Sequence, residues 1–277
     1  MKTRPIRTPY WRPGCDYTAI IVRAIRPHLR DGDIVVISEK AISTARGQIV
    51  DEARMIPSLL AKVIARVWMP VVWGYILGPL CRFRAPTIHR LRSYPPREGA
   101  AHKQVALRYA GLLHALKYGS EGGIDLSNLP FSYAALPLED SLQEVELIRS
   151  RIEETMRRKV TVMISDTDST FSLGGIHFTS RPNPLRGIHY LPGPLLFVLG
   201  RALKLRQRAT PLAVAGSNLD VEEALDIAER AHHARGYGAG RTVWDMVEGS
   251  AVGVAGATWE MLSRSRHYPI VLVRMDS

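Results

Sequence analysis

The stretch LRDGDIVVISEKAISTARGQIV, residues 29–50, sets the expected fold. A DGD turn at 31–33 precedes an uninterrupted apolar run at 34–37, which is the pattern of a short buried strand. Ser38, Glu39 and Lys40 follow directly. Because chemistry often lies just past such a strand, and a Lys there can neutralise phosphate, Glu39 and Lys40 are candidate site residues. A surface ion pair is the alternative interpretation.

A second buried strand is predicted at 160–165, VTVMIS, and it ends in Asp166, Thr167, Asp168 and Ser169. The clearest helix, at 138–159, precedes it. Its apolar residues recur at steps of three and four, namely Leu142, Val145, Ile148, Ile152 and Met156.

The remaining patterns are less regular. We expect helices at 16–29, 51–67, 99–117, 195–206 and 220–234, strands at 210–215 and 267–274, hairpins and loops at 171–190, and irregular structure at 82–97. Strands and helices mixed without strict alternation predict an α+β fold with mixed or antiparallel sheets and flanking helices. We expect residues 1–277 to form one unit of two lobes.

Composition narrows the class of protein. The 277 residues are 46% hydrophobic and 23% charged, which is typical of a folded chain and excludes a disordered or disulfide-stapled one. The net charge is +11, and only seven of the 37 basic residues are Lys. Such an excess of Arg favours anionic partners. No helix-turn-helix, zinc-finger or RNP motif appears, so small anions are favoured over nucleic acid.

Residues 55–81 form the most apolar segment. Two basic and three Pro residues interrupt it, and its longest uncharged run, at 67–81, is shorter than the roughly 20 residues that span a membrane. We therefore expect a buried helix followed by a buried strand or a subunit contact, no membrane insertion, and a homodimer. The basic start lacks a secretory pattern, and the two Cys fit a reducing cytosol, so we expect a cytoplasmic location.

Two aspartates carry the strongest chemical signal. Asp125 lies in GGIDLSN, and Asp166 follows the strand at 160–165. Carboxylates beside hydroxyl residues suit Mg²⁺ or Mn²⁺ next to a phosphate, because these hard cations take oxygen ligands. Both residues also suit turns or helix caps, and spacing alone does not separate the roles. The glycine-rich loop 235–241 is either a phosphate-binding loop or a connector, and it lacks the P-loop pattern.

Four short motifs occur in one order: PYWRPG at 9–14, the stretch at 29–50, GIDLSN at 123–128 and ISDT at 164–167. Together they resemble the coenzyme F-420:L-glutamate ligase (γ-glutamyl ligase) family. Its members carry a Ser-Lys-x-x-Ser-Lys-x-x-Gly stretch after a DGD turn and strand, then AGVDxSN and ISDT. The resemblance covers somewhat over half of the chain.

The resemblance implies a GTP-dependent ligase with two divalent ions, Mg²⁺ or Mn²⁺. Asp125 and Asp166 would hold the first ion, Thr167 would contact the second, and Lys40 would act with the two aspartates in catalysis. The implied GTP contacts are Pro9, Tyr10, Trp11, Arg12, Glu39, Lys40, Thr44 and Asn128. The implied reaction phosphorylates an acceptor carboxylate, which L-glutamate then attacks, extending a deazaflavin coenzyme precursor.

The chain departs from the family pattern at three places. The family's Ser before the first Lys is Glu39, its second Lys is Thr44, and its FGRPWR after ISDT is replaced by DSTFS at 168–172. Glu229 is the candidate for the family's C-terminal acidic metal ligand. The last departure leaves open a paralogue with another anionic acceptor, and a non-catalytic binder of nucleic acid is the non-enzymatic alternative.

Overall fold

The computed structural model describes residues 1–130, 132–238 and 256–275. Their strands form a seven-stranded mixed sheet and a small two-stranded one, with helices around them, so the α+β prediction is confirmed. The strands are β1 (Lys2–Ile6), β2 (Ile34–Ser38), β3 (Ile49–Asp51), β4 (Tyr133–Ala135), β5 (Thr161–Leu173), β6 (Ile176–Thr179), β7 (Ile188–Tyr190), β8 (Arg206–Ala215) and β9 (Ile270–Arg274).

The two strands predicted to be buried, β2 and β5, are parallel neighbours. Ile34 pairs with Thr161 and Ser38 pairs with Ser165, so both strands reach the same edge of the sheet together. Ile34 and Val36 of β2 enter one apolar cluster, whereas Val35 and Ile37 enter another on the opposite face. Burial on both faces explains why the run at 34–37 is apolar throughout.

Strand β5 is longer than predicted and changes partners along its length. Its first part pairs with β2 and its last part with β6, while β8 pairs antiparallel along its other side. The register shifts between Asp166 and Ser169, so Thr167 and Asp168 have no partner residues in the ladder. This interruption lies at the edge where β2 ends.

Helices cover both faces of the main sheet. The cluster on one face takes residues from α1 (Tyr17–Ile25), α2 (Glu39–Ala45) and α8 (Ser141–Met156), and the cluster on the other face takes residues from α10 (Val221–Arg235). Asp220 begins α10 with a capping box that involves Glu223. A short helix, α11 (Trp259–Arg264), precedes β9.

Between β3 and β4 the chain forms a mostly helical region with its own apolar cluster. Its elements are a 3₁₀ turn (Glu52–Arg54), α3 (Leu59–Val63), a π-helical segment (Ile64–Leu77), α4 (Gly78–Leu80), α5 (Ala85–Arg92), α6 (Glu98–Tyr109) and α7 (Leu112–Ala115). Helix α9 (Pro194–Ala202) contributes Val198 to the same cluster.

Several predicted boundaries in this region are wrong. Residues 51–58 are strand, 3₁₀ turn and loop, so the helix predicted at 51–67 begins at Leu59. The later part of the apolar segment 55–81, expected to form a buried strand or a subunit contact, instead continues that helix to Leu80. The subunit contact stays a prediction. Residues 82–97, predicted as irregular, contain α5, since Pro86 lies in the first turn, where its missing N–H costs nothing.

The π-helical segment explains how two indoles meet one carbonyl. Pro70 lies inside the segment and removes one N–H from its hydrogen-bond ladder. Residues five apart come to the same side when hydrogen bonds run from i to i+5. Trp68 and Trp73 accordingly both donate their indole N–H to the Leu116 carbonyl at 2.8 Å. The pair ties the long helix to the loop that begins at Leu116.

By length and composition the continuous helix Leu59–Leu80 could cross a membrane, and one-third of its apolar window is buried in the protein. Core helices of soluble proteins meet the same criterion. Its other side exposes Val67, Val71, Tyr75 and Ile76. The expectation of no membrane insertion therefore stays a prediction.

Trp73 is fully buried among Phe83, Tyr118 and Phe197. Replacement Trp73→Ala is expected to lower the free energy of unfolding by about 3–5 kcal/mol, because it removes a large core side chain. Chemical denaturation followed by circular dichroism measures this loss. The control Ile76→Ala, on the exposed side of the same helix, is expected to change stability by less than about 0.5 kcal/mol. Equal losses would contradict the packing described here.

Candidate functional site

A cavity of about 1240 Å³ opens where β2 ends and the β5 ladder is interrupted. It lies between this edge of the main sheet and the helical region, and both contribute lining residues. Seven of the predicted site residues line it: Tyr10, Trp11, Lys40, Thr44, Asp125, Asn128 and Thr167. Pro9 and Arg12 are exposed residues that flank Tyr10 and Trp11 without lining the cavity, and Glu39 and Asp166 lie behind its wall.

Lys40 lies at the start of α2 and holds the loop that carries Asp125. Its ammonium donates to Asp125 Oδ2 and to Ser127 Oγ, both at 2.7 Å. The Ser127 backbone N–H donates to Asp125 Oδ1 at 2.7 Å. Both oxygens of Asp125 therefore accept hydrogen bonds from the protein. Lys40, a predicted catalytic residue, is thus paired with Asp125, a predicted metal ligand.

Arg181 organises the second half of the site. It is 2% exposed, and its guanidinium donates to Asp166 Oδ2 at 2.8 Å and, through another nitrogen, to Glu39 Oε1. The Leu138 N–H also donates to Glu39 at 2.7 Å. Glu39 thus holds Arg181 in place. It does not reach the cavity, although the resemblance implies that Glu39 contacts GTP there. Burial raises the pKa of Glu39 to about 7, although Arg181 acts in the opposite direction.

The Asp125 loop packs directly on Arg181. Gly123 has a φ of +93°, and a Cβ there would lie 2.7 Å from the guanidinium carbon of Arg181. Only glycine allows this approach without moving the guanidinium. Asp166 is bound to Arg181, Arg181 is bound to Glu39, and Lys40, the neighbour of Glu39 in the chain, is bound to Asp125. These residues therefore form one charged cluster beside the cavity.

Asp168 lies at the interruption in β5 and lines the cavity. It is 3% exposed, and neither carboxylate oxygen has a hydrogen-bond partner among the described residues. The Ser120 hydroxyl lies near enough to lower its pKa but forms no hydrogen bond of ordinary geometry with it. Burial, helped by the charge of Asp166, raises the pKa of Asp168 to about 7.

A buried charge network from the helical region lies along the cavity's other side. His102 contacts Glu52 at 2.7 Å and Glu121 at 3.1 Å, and Lys103 contacts Glu121 at 2.7 Å. Burial lowers the pKa of His102, but the two carboxylates outweigh it and raise the value to about 10. The network therefore has two cations and two anions, and its charges balance inside the protein.

The sequence of this chain is similar to those of known proteins. The family model described as F420-0:Gamma-glutamyl ligase matches residues 5–180. The chain belongs to the F420-0:γ-glutamyl ligase family. The matched residues include β2, the Asp125 loop and the whole of β5 with Asp166, so the family assignment made from short motifs is confirmed. Membership supports an enzyme that forms a bond to glutamate.

Two similar proteins differ in how much of this chain they match. An uncharacterized protein of Methanocaldococcus jannaschii is 34% identical over 290 residues, which cover 99% of this chain and 97% of the relative. The coenzyme F420:L-glutamate ligase of Archaeoglobus fulgidus is 28% identical over 163 residues, which cover 58% of this chain and 57% of the relative. Similarity to the named ligase is thus confined to part of each chain.

The γ-glutamyl ligase motifs locate the cavity but miss several residues that shape it. Arg181 lies in a loop among Gly and Pro residues, where no sequence pattern marks it. His102 and Lys103 lie on α6, whose apolar spacing gives no hint of buried charge, and Lys117 lies in the loop after α7. Asp168 did carry a signal, because it is the first residue of the segment that departs from FGRPWR.

Two predicted features lie elsewhere. Glu229 accepts from the Ala209 N–H at 2.7 Å and contacts His233 at 2.8 Å, so it supports β8 and does not line the cavity. The glycine-rich loop at 235–241 reaches the cavity through Arg235, Gly236, Tyr237 and Gly238, and residues 239–241 lie outside the described part of the chain. Within the described residues, no group of three or more His, Cys, Asp and Glu forms a metal-holding cluster.

Replacement Arg181→Met is expected to lower the free energy of unfolding by about 3–5 kcal/mol, because it leaves the buried Glu39 and the partly buried Asp166 without their cation. Urea denaturation at neutral pH measures the loss. Arg186→Met is the matched control, since Arg186 is exposed on the same loop and is expected to change stability by less than about 0.5 kcal/mol. A loss for Arg181→Met no larger than the control's would show that the buried ion pairs do not hold the site together.

Asp168 makes stability depend on pH. Its pKa of about 7 in the fold exceeds the ordinary 3.8, so the folded protein binds the extra proton and loses stability as pH rises from about 4 to 7. Asp168→Asn is expected to remove this loss, giving a gain over wild type that grows across that range to about 2–4 kcal/mol at pH 7 and above. Thermal denaturation at a series of pH values tests it. Exposed Asp31→Asn is the control, and a gain independent of pH would refute the assignment.

Proposed function

We propose that this protein is a GTP- and divalent-metal-dependent ligase that joins L-glutamate through an amide bond to the carboxylate of an anionic small-molecule acceptor, a precursor of the deazaflavin coenzyme F420. The observation that carries the proposal is the family match over residues 5–180 together with the cavity around Lys40 and Asp125. The name of the Archaeoglobus relative supports the choice of acceptor.

The proposed reaction has two steps. An oxygen of the acceptor carboxylate attacks the γ-phosphorus of GTP, a new P–O bond forms, and the bond to the β-phosphate oxygen breaks to release GDP. The neutral amine of L-glutamate then attacks the acyl carbon, the C–N bond forms, the C–O bond to phosphate breaks, and the proton that the nitrogen loses leaves with the released phosphate. Lys40, 23% exposed at the cavity wall, would place fixed positive charge beside the transferring phosphoryl group.

The oxygen donors at the cavity fit the Mg²⁺ or Mn²⁺ that we propose. Asp125 and Thr167 at the cavity, together with Asp166 behind its wall, would hold the ions. The buried Asp168 carboxylate, whose oxygens have no hydrogen-bond partner among the described residues, supports positive charge at this edge of the sheet. Mg²⁺ is commonly held by one or two carboxylates together with substrate phosphates and water. The ions would neutralise charge on the transferring phosphate.

The nucleotide would occupy the side of the cavity formed by the N-terminal segment. The Tyr10 hydroxyl donates to the Asn128 carbonyl, and the Tyr10 ring lies 4.8 Å from the ring of His267. Asn128 holds a left-handed φ of +57° that turns the loop after Asp125. Trp11 is buried beside them. Aromatic side chains fixed in this way suit a flat base.

The net charge of +11 suits anionic substrates, whose binding would weaken with added salt. Two further expectations from the sequence, the homodimer and the cytoplasmic location, stay proposals. The apolar side chains exposed along Leu59–Leu80 support a contact between subunits.

Incubation with GTP, Mn²⁺, L-glutamate and the F420 precursor is expected to release GDP and yield a glutamylated product. Asp125→Asn and Lys40→Met are each expected to lower kcat by about 10²–10³-fold, because the first removes a proposed metal ligand and the second removes a positive charge beside the reacting phosphate. Chromatography of products and a GDP assay measure both effects.

Lys204→Met, which removes an exposed Lys far along the chain, is the control and should keep wild-type activity. Circular dichroism spectra should match among the variants. Absence of both GDP and glutamylated product with the wild-type protein would overturn the proposal.

A further inference from the structure

Three aromatic side chains of the helical region form one side of the cavity, and we call them the aromatic wall: Phe83, Tyr118 and Phe197. The centre of the Phe83 ring lies 5.6 Å from that of Tyr118 and 6.1 Å from that of Phe197. The fully buried Trp73 stacks on Phe83 from behind, with 6.1 Å between ring centres. Because each ring is held by its neighbours, the aromatic wall is a fixed apolar surface.

Two cations lie against the aromatic wall. Arg201 of α9 donates through Nε to the Cys81 carbonyl at 3.3 Å, and its guanidinium carbon lies 6.0 Å from the centre of the Phe83 ring. The Lys117 ammonium lies 5.4 Å from the centre of the Phe197 ring. Arg201 is partly exposed at the cavity, whereas Lys117 is buried and adds positive charge from behind. The apolar rings displace water, which strengthens the attraction of these cations for an anion.

Arg82 and Arg84 bring two more positive charges to the same place, because they flank Phe83 in the chain. Both are exposed, and both line the cavity. Neither forms an ion pair with a carboxylate of the described residues. Residues 53–97 contain eight Lys or Arg and no Asp or Glu, so this segment supplies no acid to neutralise them. An anionic group of a ligand would meet guanidinium groups that can bind its oxygens through paired N–H groups.

Arg82 occupies a backbone position that normally takes glycine. Its φ is +56°, its N–H donates to the Pro79 carbonyl at 2.9 Å, and the N–H of Phe83 donates to the Gly78 carbonyl at 3.0 Å. These bonds are those of a helix that ends in a left-handed residue, where glycine is unstrained and a larger residue is not. The Arg82 side chain is therefore kept at a cost to stability, as is common for residues that serve a ligand.

Hydrogen bonds connect this group to the sheet side of the cavity. Arg201 donates through Nη1 to Gln207 Oε1 at 3.1 Å, and Gln207 donates through Nε2 to Ser169 Oγ at 2.6 Å. Ser169 lies where the β5 ladder resumes, two residues after Thr167. The aromatic wall and its cations are thus next to the edge at which we place the phosphoryl transfer.

We propose that Arg82, Arg84 and Arg201 form the acceptor subsite, in which they bind an anionic group of the acceptor other than the carboxylate that reacts. The aromatic wall would contact the apolar part of the same molecule. This inference rests on the proposed function, because it places the acceptor of that reaction. It defines the acceptor chemically, as a molecule with two separate anionic groups joined by an apolar part, and it makes the helical region the part of the protein that selects it.

Kinetics with the F420 precursor as acceptor test the subsite. Arg84→Met and Arg82→Gly are each expected to raise the KM for the precursor about 10–100-fold, because each removes a charged hydrogen-bond donor. The kcat should stay within about threefold of wild type, since the group they bind does not react. The KM values for GTP and L-glutamate should not change. The inference is overturned if both replacements leave the KM for the precursor within about threefold of wild type, or if the KM for GTP rises in its place.

Stability separates a loss of binding from a loss of folding. Arg82→Gly is expected to raise the melting temperature, because glycine adopts the left-handed φ without strain. Arg157→Gly is the matched control: Arg157 ends α8 with the same φ of +56°, is exposed and does not line the cavity. It should raise the melting temperature in the same way and keep the wild-type KM for the precursor. An equal rise in that KM for both variants would contradict a specific role for Arg82.

Hydrogen–deuterium exchange tests the subsite without turnover. With GDP and Mn²⁺ present, inorganic phosphate or succinate is expected to slow amide exchange in residues 81–88 and 198–203 of the wild-type protein and of Arg157→Gly, but not of Arg84→Met. The more effective of the two probes shows whether the subsite prefers phosphate or carboxylate. Protection by neither probe would refute the subsite.

The two proposals fail in different ways. If the wild-type protein shows this protection but forms no product with the F420 precursor, the proposed function fails and the anion subsite stands. If product forms while Arg82→Gly and Arg84→Met leave the KM for the precursor unchanged, the proposed function stands and the subsite fails.

Discussion

The ion pairs of the buried Arg181 guanidinium are the interaction on which the site depends. One side chain from the loop after β6 joins Glu39 at the start of α2 to Asp166 at the end of the first part of β5. Glu39 is far from the other two residues in the chain, and each of the three charges would be costly to bury alone. Once Arg181 is in place, Gly123 brings the Asp125 loop against it, and Lys40 fixes the other end of that loop.

This arrangement follows from parallel pairing. Strands β2 and β5 run side by side, so the residues that follow β2 and those that follow the part of β5 paired with it reach the same edge of the sheet. Ligands of sheets with parallel strands commonly bind outside the carboxyl ends of those strands. The cavity has this position, and the helical region closes its far side with a network whose four buried charges balance one another.

The sequence predicted the sheet side well because local signals suffice there. The short, mostly apolar runs at 34–37 and 160–165 are typical of buried strands, and the turn and cap residues around them limit their ends. The helical region was predicted poorly: its segment from Leu59 to Leu80 is π-helical in part, which residue periodicity of 3.6 does not reveal.

The same limit applies to the site. Lys40 and Asp125 lie in recognisable motifs, and the structure pairs them. The partnership of Glu39 with Arg181 depends on tertiary folding across 142 positions, so no local pattern could reveal it. A buried Lys and a surface Lys also look alike in a sequence, which is why Lys117 was not among the candidates.

The gap in the β5 ladder has a consequence for evolution. Thr167 and Asp168 are at the cavity, yet neither has a partner residue in the sheet, so mutation there need not disturb strand pairing. Such a position can vary between lineages at small cost to folding, while the pairs on either side preserve the scaffold. Descendants of one ancestral ligase could in this way diverge in substrate preference by drift at two adjacent codons.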